Sequence, residues 1–138
     1  MSPFRITLTG RPGILKNSKR IVRRKKFVSV IPSDKYQRWE YAACHEITRQ
    51  IARTPSFRKI DSPAMLTANF YFKNHQWEAD LDNCVSGICD VLQKTGVIAN
   101  DKLIVEMSLK KVFGEPVERV EIELRELKCE TQVGTVSA

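Results

Sequence analysis

Apolar residues recur along this chain with two periods, and the switches between them mark out its elements. Phe4-Arg5-Ile6-Thr7-Leu8-Thr9 alternates at every second position, the period of a half-buried strand, and Gly10-Arg11-Pro12-Gly13 turns the chain after it. Ile21-Val22 and Phe27-Val28-Ser29-Val30-Ile31 can pair as a short hairpin. Beyond Ser33 or Asp34, either of which can cap a helix, Tyr36, Trp39, Ala43, Ile47 and Ile51 recur at helical spacing and predict one long helix with these residues facing the core. Residues 55–63, bounded by prolines, read as a loop, and Ala64 to Phe72 as a strand. Cys84 to Lys94 reads as a second helix with Val85, Ile88 and Leu92 on one face, Asp82 as its N-cap and Gly96 closing it. Leu103–Val112 and Val117–Leu127, around Gly114-Glu115-Pro116, predict a closing β-hairpin, and residues 132–138 a flexible tail. Together these elements predict one compact α+β domain over residues 1–131, a mixed β-sheet with two main helices packed on it.

The densest chemistry lies at the mouth of the second helix, in Glu78-Ala79-Asp80-Leu81-Asp82-Asn83, answered by Gly96-Val97-Ile98-Ala99-Asn100-Asp101. Positions two apart share a face in an extended segment and diverge by about 200° in a helix. Asp80 and Asp82 can therefore share one ion only if the helix starts at or after Asp82. Carboxylates gathered at such a mouth can hold a divalent metal against a phosphate, and the positive end of the helix favours their ionised form. The competing reading gives Asp82 a capping role alone and leaves Asp80 on a solvated loop. Asp90, two turns further on, can orient a ligand or a basic side chain without being a ligand itself. Trp77, beside the acids, can stack on an unpaired base or pack at a contact, and Phe27 next to the basic pair offers the same choice.

Charge points to a polyanion. The 138-residue chain carries 23 Lys and Arg against 16 Asp and Glu, a formal charge of +7. Arg11, Lys16, Lys19, Arg20, Arg23, Arg24, Lys25 and Lys26 fall in the stretch 11–26, which contains no acid, whereas the region from Glu115 to Glu130 is acid-rich. Such a basic loop suits DNA phosphates, which it would grip without reading sequence. The four cysteines, Cys44, Cys84, Cys89 and Cys129, show no CxxC spacing, and His45 and His75 form no zinc set with them. Without a membrane-length apolar run or a signal-peptide core, the expectation is a soluble, intracellular protein with reduced thiols.

Asp80-Leu81-Asp82-Asn83, then Gly87-Ile88-Cys89-Asp90-Val91-Leu92, then Gly96-Val97-Ile98 with Asn100-Asp101 and Ile104, resembles the RusA family of Holliday junction resolvases, small endonucleases of phages, prophages and bacteria. Gly10-Arg11-Pro12 with its basic loop and Tyr36-Gln37-Arg38-Trp39-Glu40 are similar to the family too, so the resemblance runs from about residue 6 to 125. It implies a homodimeric, Mg²⁺-dependent enzyme, with Mn²⁺ as the alternative ion, that cuts four-way DNA junctions on symmetrically related strands. It also implies the cytoplasm of a bacterial or phage-infected cell, with no membrane partner and no organic cofactor. The family's essential metal-site aspartates fall on Asp80, Asp82 and Asp101, with Asn83 and Asp90 behind them as orienting groups. One position departs: the family's usual lysine, four residues past the second aspartate, is Ser86 here, which offers a neutral hydrogen bond in place of a charge. Lys94 starts about 12 Å along the helix from that position, and Lys102 substitutes only if its segment is still a loop. Asn100 stands where many relatives carry an acid. The alternative reading is a junction-binding protein with weak or no turnover.

Overall fold

A computed structural model describes residues 3–14, 19–24, 27–74 and 80–127, and between 19 and 32 it is the backbone that is described. The elements run β1 (Phe4–Thr9), β2 (Lys19–Arg24), β3 (Phe27–Pro32), α1 (Asp34–Ala52), β4 (Ala64–Phe72), α2 (Leu81–Lys94), β5 (Ile104–Phe113) and β6 (Arg119–Glu126). A 3₁₀ turn, Asp101–Leu103, leads into β5. The fold is α+β, with a mixed four-stranded sheet in the order β1-β6-β4-β5 and the hairpin β2-β3 beside it.

The helices form where their apolar stripes require. Ser33 caps α1 by accepting from the Tyr36 N–H at 3.2 Å, and Tyr36, Ala43 and Ile47 are buried while Trp39 and Ile51 pack half-buried on the core. Val85, Ile88 and Leu92 of α2 are buried as their spacing predicts. Gly96, at φ 80°, ends α2, and the Val97 N–H returns to the Leu92 carbonyl at 3.0 Å.

The predicted β5–β6 hairpin is not formed. β4 lies between the two strands, parallel to β5 and antiparallel to β6. Its alternation is complete, with Ala64, Leu66, Ala68, Phe70 and Phe72 all buried, and a partner on each side satisfies its backbone donors and acceptors. A local hairpin would have left this most apolar strand at an edge. The connection instead crosses the end of β4: Gly114 adopts φ 83°, the Glu115 N–H donates to the Phe72 carbonyl at 3.1 Å, and the Lys73 N–H donates to Glu118 Oε2 at 3.0 Å.

Candidate functional site

Asp80, not Asp82, is the N-cap of α2. Its backbone is extended (φ −75°, ψ 168°), its Oδ1 accepts from the Asn83 N–H at 2.9 Å, and its carbonyl accepts from the Cys84 N–H at 3.0 Å. Starting the helix at Leu81 brings that half-buried side chain onto the core, a gain that a start at Asp82 would forgo. Asp82 becomes the second helical residue, so the extended geometry in which the two acids would share a face is not the one formed. Asn83 serves the cap through its backbone.

Asp101 is delivered by a separate chain of contacts. The Ile60 N–H donates to the Val97 carbonyl at 2.9 Å and the Ala99 N–H to the Ile60 carbonyl at 2.8 Å, which clamps buried Val97 and Ile98. Asn100 Oδ1 then caps the 3₁₀ turn by accepting from the Lys102 N–H at 2.9 Å, and the Asp101 N–H donates to Gln93 Oε1 at 3.0 Å. Asn100 thus has a structural role that needs no charge. The turn keeps Lys102 out of strand geometry, which is the condition the sequence set for it.

These elements enclose a cleft of about 630 Å³, lined on one side by Asp82, Val85, Ser86, Cys89, Asp90, Gln93 and Lys94 of α2, and on the other by Asn100, Asp101, Lys102 and Met107. It follows the helix from Asp82 to Gln93, roughly 16 Å at 1.5 Å per residue. The Asp101 backbone is tied to Gln93, and Asp82 stands at the N-terminal end of α2. Among the described residues no three Asp, Glu, His or Cys side chains form a preformed metal cage. The donor chemistry nevertheless suits a hard cation: Mg²⁺ takes one or two carboxylates and completes its shell with water and phosphate oxygens. The Cys89 thiol does not compete, because burial and the nearby Asp101 and Asp90 charges push it up to about 11.

Ser86 donates its hydroxyl to the Asp82 carbonyl at 3.0 Å, a bond within its own helix. Lys94 is also engaged, paired with Glu40 and lying 3.6 Å from Asp90 Oδ2. Asp90 accepts from the Tyr36 hydroxyl at 2.7 Å. Glu40 is raised by its hydrogen bond with Asp90 and by burial. Burial would raise Asp90 as well, but hydrogen bonds from Glu40 and Tyr36 and the Lys94 charge outweigh it and hold Asp90 low. The pair is split, so that Glu40 takes up a proton before Asp90 does. Glu40 was not singled out from the sequence, although Tyr36 and Glu40 on α1, and Asp90 and Lys94 on α2, each stand one helical turn apart.

The root of the basic loop is locked to α2. A Cβ on Gly87 would sit 2.7 Å from the Gly13 carbonyl oxygen and 3.2 Å from Trp39 Cζ3, and one on Gly13 would lie 2.5 Å from Trp39 Cε3. Only glycines allow this approach of turn, α1 and α2. Arg11 pairs with Glu118 at 3.1 Å. Lys19, Arg20, Arg23 and Arg24 lie on β2, paired with β3 from Lys19↔Pro32 to Arg24↔Phe27. Lys16, Lys25 and Lys26 lie outside the described residues, as do Trp77, His75, Glu78, Cys129 and the segment 132–138. Cys84 and Cys89 are buried and Cys44 is half-buried. Among the described residues no helix is long and apolar enough to cross a membrane.

Comparison with known families matches residues 6–125 to the family described as "Endodeoxyribonuclease RusA". No curated protein matches the chain.

Proposed function

Since the chain belongs to the RusA family of endodeoxyribonucleases, enzymes that resolve Holliday junctions, we propose that it is a Mg²⁺-dependent, homodimeric endonuclease that cuts four-way DNA junctions through the cleft between α2 and the Asp101 turn. The observation that carries this reading is the presence of Asp82, Asp101 and Lys102 on the walls of one cleft. Asp82 and Asp101 present hard oxygen ligands, and Asp80 holds the helix mouth as its N-cap. Bound Mg²⁺ would polarise the scissile phosphate and activate a water for in-line attack. Lys102 takes the part of the missing family lysine by neutralising charge that builds on the phosphate. Lys94 holds Glu40 and Asp90 in place. The basic stretch from Arg11 to Lys26 grips the phosphates of the arms, and two symmetric cuts require two clefts related by a dyad.

The test is a denaturing-gel assay on a labelled synthetic four-way junction with Mg²⁺, alongside Asp82→Asn and a linear duplex of the same sequence. Paired symmetric nicks that vanish in the variant support the reading, and undiminished cleavage by Asp82→Asn removes it. One observation favours a second reading, a junction binder with weak turnover: Ser86 donates to its own helix and places no cation there. Junction binding without nicks, together with turnover gained in Ser86→Lys, selects that alternative.

A further inference from the structure

The two edges of the main sheet are treated differently. At β1, side chains of α1 occupy the outward backbone groups: Gln50 Nε2 donates to the Thr7 carbonyl at 2.9 Å, Gln50 Oε1 accepts from the Thr7 N–H at 3.0 Å, and Glu46 Oε1 accepts from the Thr9 N–H at 3.1 Å. That edge is closed to another strand. At the opposite edge β5 runs for 10 residues and, among the described residues, has β4 as its only strand partner, and Val105, Glu106, Met107, Ser108 and Lys110 are exposed. An open edge of this length is a template for pairing, which folds ordinarily blunt as this one blunts β1.

We propose that the outer edge of β5 pairs antiparallel with β5 of a second copy of this chain, with Ser108 on the two-fold axis. The inference rests on the homodimer of the proposed function and names its surface. A two-fold perpendicular to the sheet sets residues of equal parity opposite each other, so the register must be centred on a residue. Centred on Ser108, Glu106 faces Lys110 of the other copy twice, and Met107 faces Leu109. Centred on Glu106 or on Lys110, like charges meet on the axis. Centred on Met107 or Leu109, neither Glu106 nor Lys110 has an opposite charge across from it. The charges therefore select one register. The irregularity in β4–β5 pairing falls between Ala64/Ile104 and Met65/Glu106, just outside the stretch that would pair.

The geometry also suits the chemistry. Met107 lines the cleft and Leu109 packs on the core, so both lie on the face that carries α2. A perpendicular two-fold keeps the two α2 helices on one side of a continuous eight-stranded sheet, and both clefts open toward one substrate, flanking the dyad.

The experiment compares the full chain with Glu106→Lys, Lys110→Glu and the double exchange by sedimentation equilibrium. Each single exchange sets like charges opposite at two places and should weaken the dimer about tenfold or more, while the double exchange restores it. Ser108→Cys adds a positive readout: cross-strand Cα atoms on the axis lie about 4.5–5.5 Å apart, within disulfide range, so mild oxidation should yield a covalent dimer that wild type does not form. A wild-type dimer unaffected by either single exchange, or weak singles that the double exchange fails to rescue, overturns the β5 edge and leaves the homodimer standing. A chain that stays monomeric alone and on junction DNA overturns the homodimer itself.

Discussion

The Tyr36 hydroxyl donates to Asp90 Oδ2 at 2.7 Å, so a ring buried in α1 orients a carboxylate that walls the cleft from α2. Tyr36→Phe removes the donor and leaves a partly buried carboxylate short of a partner. The expected loss is about 1.5–3 kcal/mol of stability, read from the urea midpoint at neutral pH.

The opposite shifts of Glu40 and Asp90 have a signature in pH. Glu40 is raised, so its contribution is present below the ordinary carboxylate range and is lost as pH rises through its folded value; Asp90 is lowered, and its contribution is lost as pH falls. Glu40→Gln puts a permanent amide donor where Glu40 takes up its proton. The stability difference between variant and wild type should move in the variant's favour as pH rises from the carboxylate range to neutrality. A difference that stays constant across that window would exclude a raised Glu40.

Capping and catalysis can be separated at Asp80. Asn is as good an N-cap as Asp, so Asp80→Asn should keep wild-type stability, whereas Asp80→Ala should lose about 1 kcal/mol. A drop in junction cleavage in the stable Asn variant would then report a role in the reaction and not a frayed helix.

Lys102 and Lys94 line the same cleft with different engagements. Lys102→Ala should lower the cleavage rate by roughly 100-fold with junction affinity changed little. Lys94→Ala, which strips the Glu40 and Asp90 pair of its cation, should show first as lower stability. Single-turnover kinetics and denaturation on the same preparations distinguish the two.

Gly87→Ala tests the joint between the basic loop and α2. Alanine favours a helix by about 1 kcal/mol over glycine, but its Cβ would meet the Gly13 carbonyl at 2.7 Å, and overpacking against backbone costs about 1–3 kcal/mol. Net destabilisation and a shift in Trp39 emission are expected. A variant more stable than wild type would mean that the turn is free to move away.

Periodicity alone carried the faces of both helices, the strand β4 to the residue, and a hairpin of Ile21-Val22 with Phe27–Ile31 that the structure extends to Lys19–Arg24 and Phe27–Pro32, because side-chain spacing records which face is buried. The acid motif and its resemblance to a nuclease family were likewise legible in residue order. Partner choice was not. The runs flanking Gly114 read as a hairpin because their local pattern suits one, yet β4 lies between them, since an alternating strand buried along its length gains more from two neighbours than from one. The cap moved from Asp82 to Asp80 for a similar reason: both residues can cap, and the burial of Leu81 chose between them. Glu40 joined Asp90, and Asp101 reached the flank of α2, only once helices and turns were packed. Residue order sets which side of an element is apolar, and the tertiary structure decides which distant side chains meet there, because that depends on surfaces supplied by the rest of the chain.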